Sequence, residues 1–104
     1  MSEATMPSEF LVSESLAVPD GFIVRGICNR GTIAVNDSFA RVVHDVPEGA
    51  SEPVALRVAG IVTYRRSIDK LPQGMSAELR CVGSAGSGLR LNDLLIGAEA
   101  QVPQ

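Results

Sequence analysis

The chain has no tryptophan, one tyrosine, three phenylalanines, one histidine and two cysteines among its 104 residues. So few rings leave little to stack on nucleic-acid bases. Twelve acidic residues against nine basic ones, a formal net charge of −3, argue against gripping nucleic acid through bulk charge and leave only a local patch for that role. Two cysteines are too few for a disulfide scaffold or a cysteine-only zinc site, and a solitary histidine removes a histidine-based one. No apolar run approaches the roughly 20 residues of a membrane span. The opening Met1-Ser-Glu-Ala-Thr-Met-Pro-Ser-Glu9 is acidic and polar, the reverse of a signal peptide. A cytoplasmic protein with no membrane attachment is expected.

What remains is one domain's worth of material, 45% hydrophobic and 20% charged, enough for a single core. Residues 1–9 and 98–104 carry no periodicity and read as flexible tails around a domain spanning 10–97. Turn signals punctuate that domain: Pro19-Asp20-Gly21, Asn29-Arg30-Gly31, Asn36-Asp37, Pro47-Glu48-Gly49, Pro72-Gln73-Gly74, the glycine-rich 83–88 stretch and Asn92-Asp93. Short segments between such signals predict an all-β fold. Residues 61–71 come closest to a helix, and Thr63, Tyr64 and Ser67 make them poor helix material.

The segments alternate as strands do. In 75–81 the alternation is cleanest, with Met75, Ala77, Leu79 and Cys81 on one face. In 22–28 one face carries Phe22, Val24, Gly26 and Cys28 while the other mixes Ile23 and Ile27 with Arg25, and Gly26 marks a bend or bulge. In 54–64 the even positions Val54, Leu56, Val58, Val62 and Tyr64 form an apolar row, which places the Tyr64 ring at the end of a core-facing face with its hydroxyl at the rim. Segments 38–43 and 93–96 are shorter strands, and 10–13 reads as an edge strand. About six strands suit a small closed Greek-key barrel, which leaves no exposed edges.

Two stretches carry a family resemblance. Gly21-Phe-Ile-Val-Arg-Gly26-Ile-Cys-Asn-Arg-Gly31-Thr-Ile-Ala-Val35-Asn-Asp37 resembles the opening of the second, β-barrel domain of translational GTPases such as elongation factor Tu, Gly-x-Val-x-x-Gly-x-Val-x-x-Gly-x-Ile-x-x-Gly-Asp/Glu. Tyr64-Arg65-Arg66, Gly74, the 75–82 strand and Leu91-Asn92-Asp93-Leu94-Leu95 are similar to the later half of that domain. Residues 17–97 are covered. Asn36 and Asn92 stand where the family has glycines, and asparagine is the next-best residue for a left-handed turn. The resemblance implies a six-stranded barrel that touches RNA or a ribonucleoprotein. Its aminoacyl-binding chemistry does not carry over, because Val62 stands at the position of the family's glutamate and Ser76 at that of its asparagine. With no G-x-x-x-x-G-K-[ST], this chain is not expected to bind GTP.

Catalytic groupings are scarce. The 83–88 stretch lacks the lysine and helix start of a phosphate loop and reads as a flexible hairpin loop. His44 reads as a solvated loop histidine, since the adjacent Asp45 points to the opposite face of an extended chain. Cys28 and Cys81 fall on apolar faces and read as buried free thiols. Eight arginines against one lysine favour bidentate recognition of carboxylate or phosphate. Strand-surface arginines are expected to pair with acids across the sheet, whereas Arg65 and Arg66, with Tyr64 before them and Lys70 beyond, form the densest positive feature and the expected contact surface. Arg65 should point outward and Arg66 should follow the chain into a loop ending at Pro72-Gln73-Gly74. The expected function is a non-catalytic, stand-alone binding module with no catalytic residues, metal or cofactor. It would dock on a ribonucleoprotein or RNA-associated partner, with RNA itself a possible contact; the alternative is a protein-binding adaptor unrelated to translation.

Overall fold

A computed structural model describes residues 7–45, 49–86 and 88–98. Of the expected tails, 1–9 and 98–104, residues 1–6 and 99–104 lie outside these described residues, as do the Pro47-Glu48 part of one turn signal and Ser87, whereas Glu9 belongs to a strand. Strands are bounded by left-handed backbone at Gly31 (φ +73°), Asn36 (φ +80°), Gly74 (φ +89°) and Asn92 (φ +70°). Glycine tolerates that region without a Cβ clash and asparagine tolerates it better than most residues. At Asn36 the following side chain secures the turn, because Asp37 Oδ2 accepts the Ala34 N–H at 2.8 Å.

Among the described residues the strands are β1 (Glu9–Val18), β2 (Gly21–Arg30), β3 (Thr32–Ala34), β4 (Ser38–Val43), β5 (Ser51–Thr63), β6 (Arg66–Ile68), β7 (Lys70–Pro72), β8 (Ser76–Ser84) and β9 (Leu94–Gly97). No helix occurs among them, and so none is long and apolar enough to cross a membrane. The strands run in the order β4-β9-β1-β2-β8-β5, every pairing antiparallel, and β5 pairs back onto β4. Six strands thus close into a barrel, as the turn spacing predicts. β6 adds to β5, while β3 and β7 form a separate two-stranded sheet that delivers Ile33 and Leu71 to the same core.

Strand 10–13 differs from expectation. It belongs to the longer β1 and is no edge, being bonded to β2 on one side and β9 on the other. The barrel interior holds Phe10, Val12, Val24, Phe39, Val42, Leu56, Val58, Ile61, Leu79 and Leu95, all essentially inaccessible. β8 keeps its predicted faces, with Leu79 and Cys81 buried and Arg80 exposed. Gly26 marks a bulge, though the extra residue, Ser13, sits on the partner strand: Val12 pairs with Gly26 and Glu14 with Arg25. A Cβ at Gly26 would lie 1.9 Å from the Leu11 carbonyl oxygen, so the two backbones approach as only glycine permits.

β5 does not keep one face throughout. Val58 pairs with Cys81 and Gly60 with Arg80, leaving Ala59 as an extra residue. The bulge reverses the alternation. Leu56 and Val58 point inward, then Ile61 does, while Val62 turns to the outer surface. The expectation that Tyr64 ends a core-facing row is therefore wrong: it is 87% exposed.

The loop from Gly83 to Gly88 is also not a hairpin. β8 lies between β2 and β5, β9 between β4 and β1, so this segment crosses to another part of the barrel. Ala85 and Leu89 anchor it in the core, and a Cβ at Gly83 would meet the Ala55 carbonyl oxygen at 1.8 Å.

Candidate functional site: a strained hairpin tip beside an apolar groove

Thr63 pairs with Arg66, leaving Tyr64 and Arg65 as a two-residue turn between β5 and β6. Both have positive φ, +49° and +65°, which is the pattern of a type I′ turn. Such turns normally use Asn-Gly, because a left-handed L-residue costs about 1–2 kcal/mol. Two large side chains are held here in a conformation the backbone resists. Strain of this kind collects where side chains are needed in place.

Tyr64, Arg65 and Arg66 are thus brought together at one tip, all exposed. Lys70 is exposed too but stands apart on β7, opposite Ala34 in the second sheet. The segment after Arg66 is not the expected loop: β6 and β7 occupy most of it. Among the described residues Arg65 and Arg66 make no ion pair or side-chain hydrogen bond, whereas most other arginines are engaged. Arg25 meets Glu78 at 3.2 Å and Glu14 at 3.6 Å, Arg30 approaches Glu9 at 4.0 Å, and Arg57 bonds Asn36 Oδ1 at 3.1 Å.

Beside the tip lies an open groove of about 560 Å³ on the outer face of β1, β2, β8 and β5. Leu11, Ile27 and Val62 make it apolar. Two of its hydroxyls are committed, Ser13 Oγ donating to the Arg25 carbonyl at 3.0 Å and Thr63 Oγ1 to the Ser76 carbonyl at 2.9 Å, while Ser76, Tyr64 and Asn92 are the other uncharged polar residues that line it. Its charges, Arg25 and Glu78, satisfy one another. Tyr64 separates this groove from a smaller depression of about 360 Å³ along Pro72–Ser76. Val62 and Ser76, the positions matched to aminoacyl-contacting residues in the resemblance, both line the groove. The groove itself was not legible in the sequence, since the Ser13 and Ala59 bulges place its walls.

His44 corrects a second expectation. It is no solvated loop residue but is only 8% exposed. Its Nδ1 lies 3.0 Å from Asp93 Oδ2 and its Nε2 3.3 Å from Glu52 Oε2. Asp93, 1% exposed, also accepts the Arg90 N–H at 2.8 Å, tying the crossing loop to the end of β4. These groups form no cluster able to hold a metal ion among the described residues. Cys28 and Cys81 are buried free thiols, as expected; burial raises the pKa of both, that of Cys81 to about 12.

No protein-family model matches the chain, and no curated protein is similar to it. Among solved structures it is similar to translation elongation factor SelB from Methanococcus maripaludis in the apo form, with a TM-score of 0.70 and 13% identity over 92% of this chain. The match covers 20% of that factor, so this chain spans about a fifth of its length. The likeness is one of fold: an all-β, closed six-stranded barrel of the translation-factor second-domain type.

Proposed function

We propose that the chain is a non-catalytic, cytoplasmic binding barrel that docks on a ribonucleoprotein or another RNA-associated partner through the β5–β6 tip and the adjoining groove. The observation that supports this reading is the strained Tyr64-Arg65 turn, which, with Arg66 beside it, presents a projecting ring and two uncompensated guanidinium groups beside a mostly apolar groove. The barrel architecture shared with a translation elongation factor supports the choice of partner. Arg65 and Arg66 supply charge-assisted, bidentate contacts to phosphate or carboxylate, Tyr64 supplies contact area, and Lys70 adds charge from the neighbouring sheet.

Co-sedimentation with cytoplasmic ribonucleoprotein particles tests this. The wild-type chain should pellet with the particles and be released as salt rises. Arg65→Ala with Arg66→Ala should lower the bound fraction about tenfold or more while the melting temperature stays unchanged, because exposed arginines contribute little to stability. Full retention by that variant overturns the site. The net charge of −3 favours a second reading, a protein adaptor unrelated to translation. In that case nothing would pellet with the particles.

A further inference from the structure

The groove and the arginines beside it differ in chemistry, and the difference specifies what each accepts. The arginines are open to anions. The groove is closed to them, since Glu78 lines it and its one cation, Arg25, is held by Glu78 and Glu14. An anionic group placed there would meet a carboxylate and find no free cation. The groove is mostly apolar, which suits an aliphatic side chain better than the edge of a nucleobase, whose reading requires several donors and acceptors in fixed positions. The protons of Ser13 Oγ and Thr63 Oγ1 are spent on the backbone carbonyls of Arg25 and Ser76. Apart from Ser76, Tyr64 and Asn92, what is left is a neutral, non-directional surface of Leu11, Ile27 and Val62, of a volume that suits one or two large side chains.

We infer that the partner at this site is a polypeptide segment: a large aliphatic side chain seats in the groove while carboxylates flanking it in the same segment lie against Arg65 and Arg66. The apolar anchor supplies the affinity and the two salt bridges set its direction along the groove. Tyr64, standing between the groove and the Pro72–Ser76 depression, covers the seated side chain from one side. This rests on the proposed docking face and names the protein component of its partner as the part that is bound.

Three probes test it: the blocked peptide Asp-Asp-Leu-Asp-Asp, its Asp-Asp-Ala-Asp-Asp counterpart, and a short oligouridylate, each titrated into the isotope-labelled full chain and followed by backbone amide shifts. The leucine peptide should perturb the amides of Leu11, Ile27 and Val62 and bind about tenfold tighter than the alanine peptide, the difference expected from burying the larger side chain. Arg65→Ala with Arg66→Ala should weaken both peptides and leave their ratio unchanged. Because the critical comparison changes the ligand, a folding defect cannot imitate it. Equal affinity for the two peptides, shifts confined to residues away from the groove, absence of binding by either peptide, or tighter binding of the oligouridylate would each overturn the inference. In the last case the particle co-sedimentation would persist, so the docking reading would stand while the peptide assignment failed.

Discussion

Replacing Tyr64-Arg65 with Asn-Gly should stabilise the protein and abolish docking together. With φ of +49° and +65°, the two residues carry a left-handed cost of about 1–2 kcal/mol each. Glycine removes nearly all of this at position 65 and asparagine part of it at position 64. Glycine returns about 0.5–1 kcal/mol through the larger entropy of the unfolded chain. Loss of the tyrosine ring costs little, because Tyr64 is 87% exposed and has almost no contact area to forfeit. The balance is a net stabilisation of about 1–2 kcal/mol. For a domain of this size each kcal/mol raises the melting temperature by about 4–8 °C. Thermal denaturation followed by circular dichroism reads the shift, and the particle co-sedimentation reads the loss. A melting temperature that stays level or falls would refute the reasoning: the turn would then not be strained, and its side chains would need no functional explanation.

Asp93→Ala should destabilise the chain by about 2–4 kcal/mol in urea, because it orphans the buried His44 Nδ1 and the Arg90 N–H at once; a loss below about 0.5 kcal/mol would show that water replaces the carboxylate. Gly31→Val places a β-branched residue at φ +73° and should cost about 1–3 kcal/mol; an unchanged melting temperature would contradict the left-handed turn. Cys81 should resist a thiol reagent at mildly alkaline pH until the protein unfolds, since burial holds its pKa near 12. That raised pKa means the folded state keeps a proton the unfolded thiol gives up, so its contribution is complete below pH 9 and is lost between pH 9 and 12. Urea midpoints should therefore fall more steeply over that range in the wild type than in Cys81→Ala, and parallel curves would remove the thiol from the explanation.

The features legible in the sequence are those decided within a few residues. Left-handed turns at Gly31, Asn36, Gly74 and Asn92 follow from steric limits that act locally, and a run such as 75–81 shows its faces because the strand repeat is two residues. The six strands of the barrel followed from these. The parity of β5 did not, because the extra residue at Ala59 is set by how β5 meets β8, and one inserted residue reverses every side chain after it. That single register shift moved Tyr64 from the core to the surface and Val62 into the groove. His44 was misread for a related reason: its partner Asp93 lies 49 positions away and reaches it only when β9 lies beside β4. Local sterics determined where this chain turns, while barrel closure, which joins distant strands in a particular register, decided which side chains it hides and which it offers.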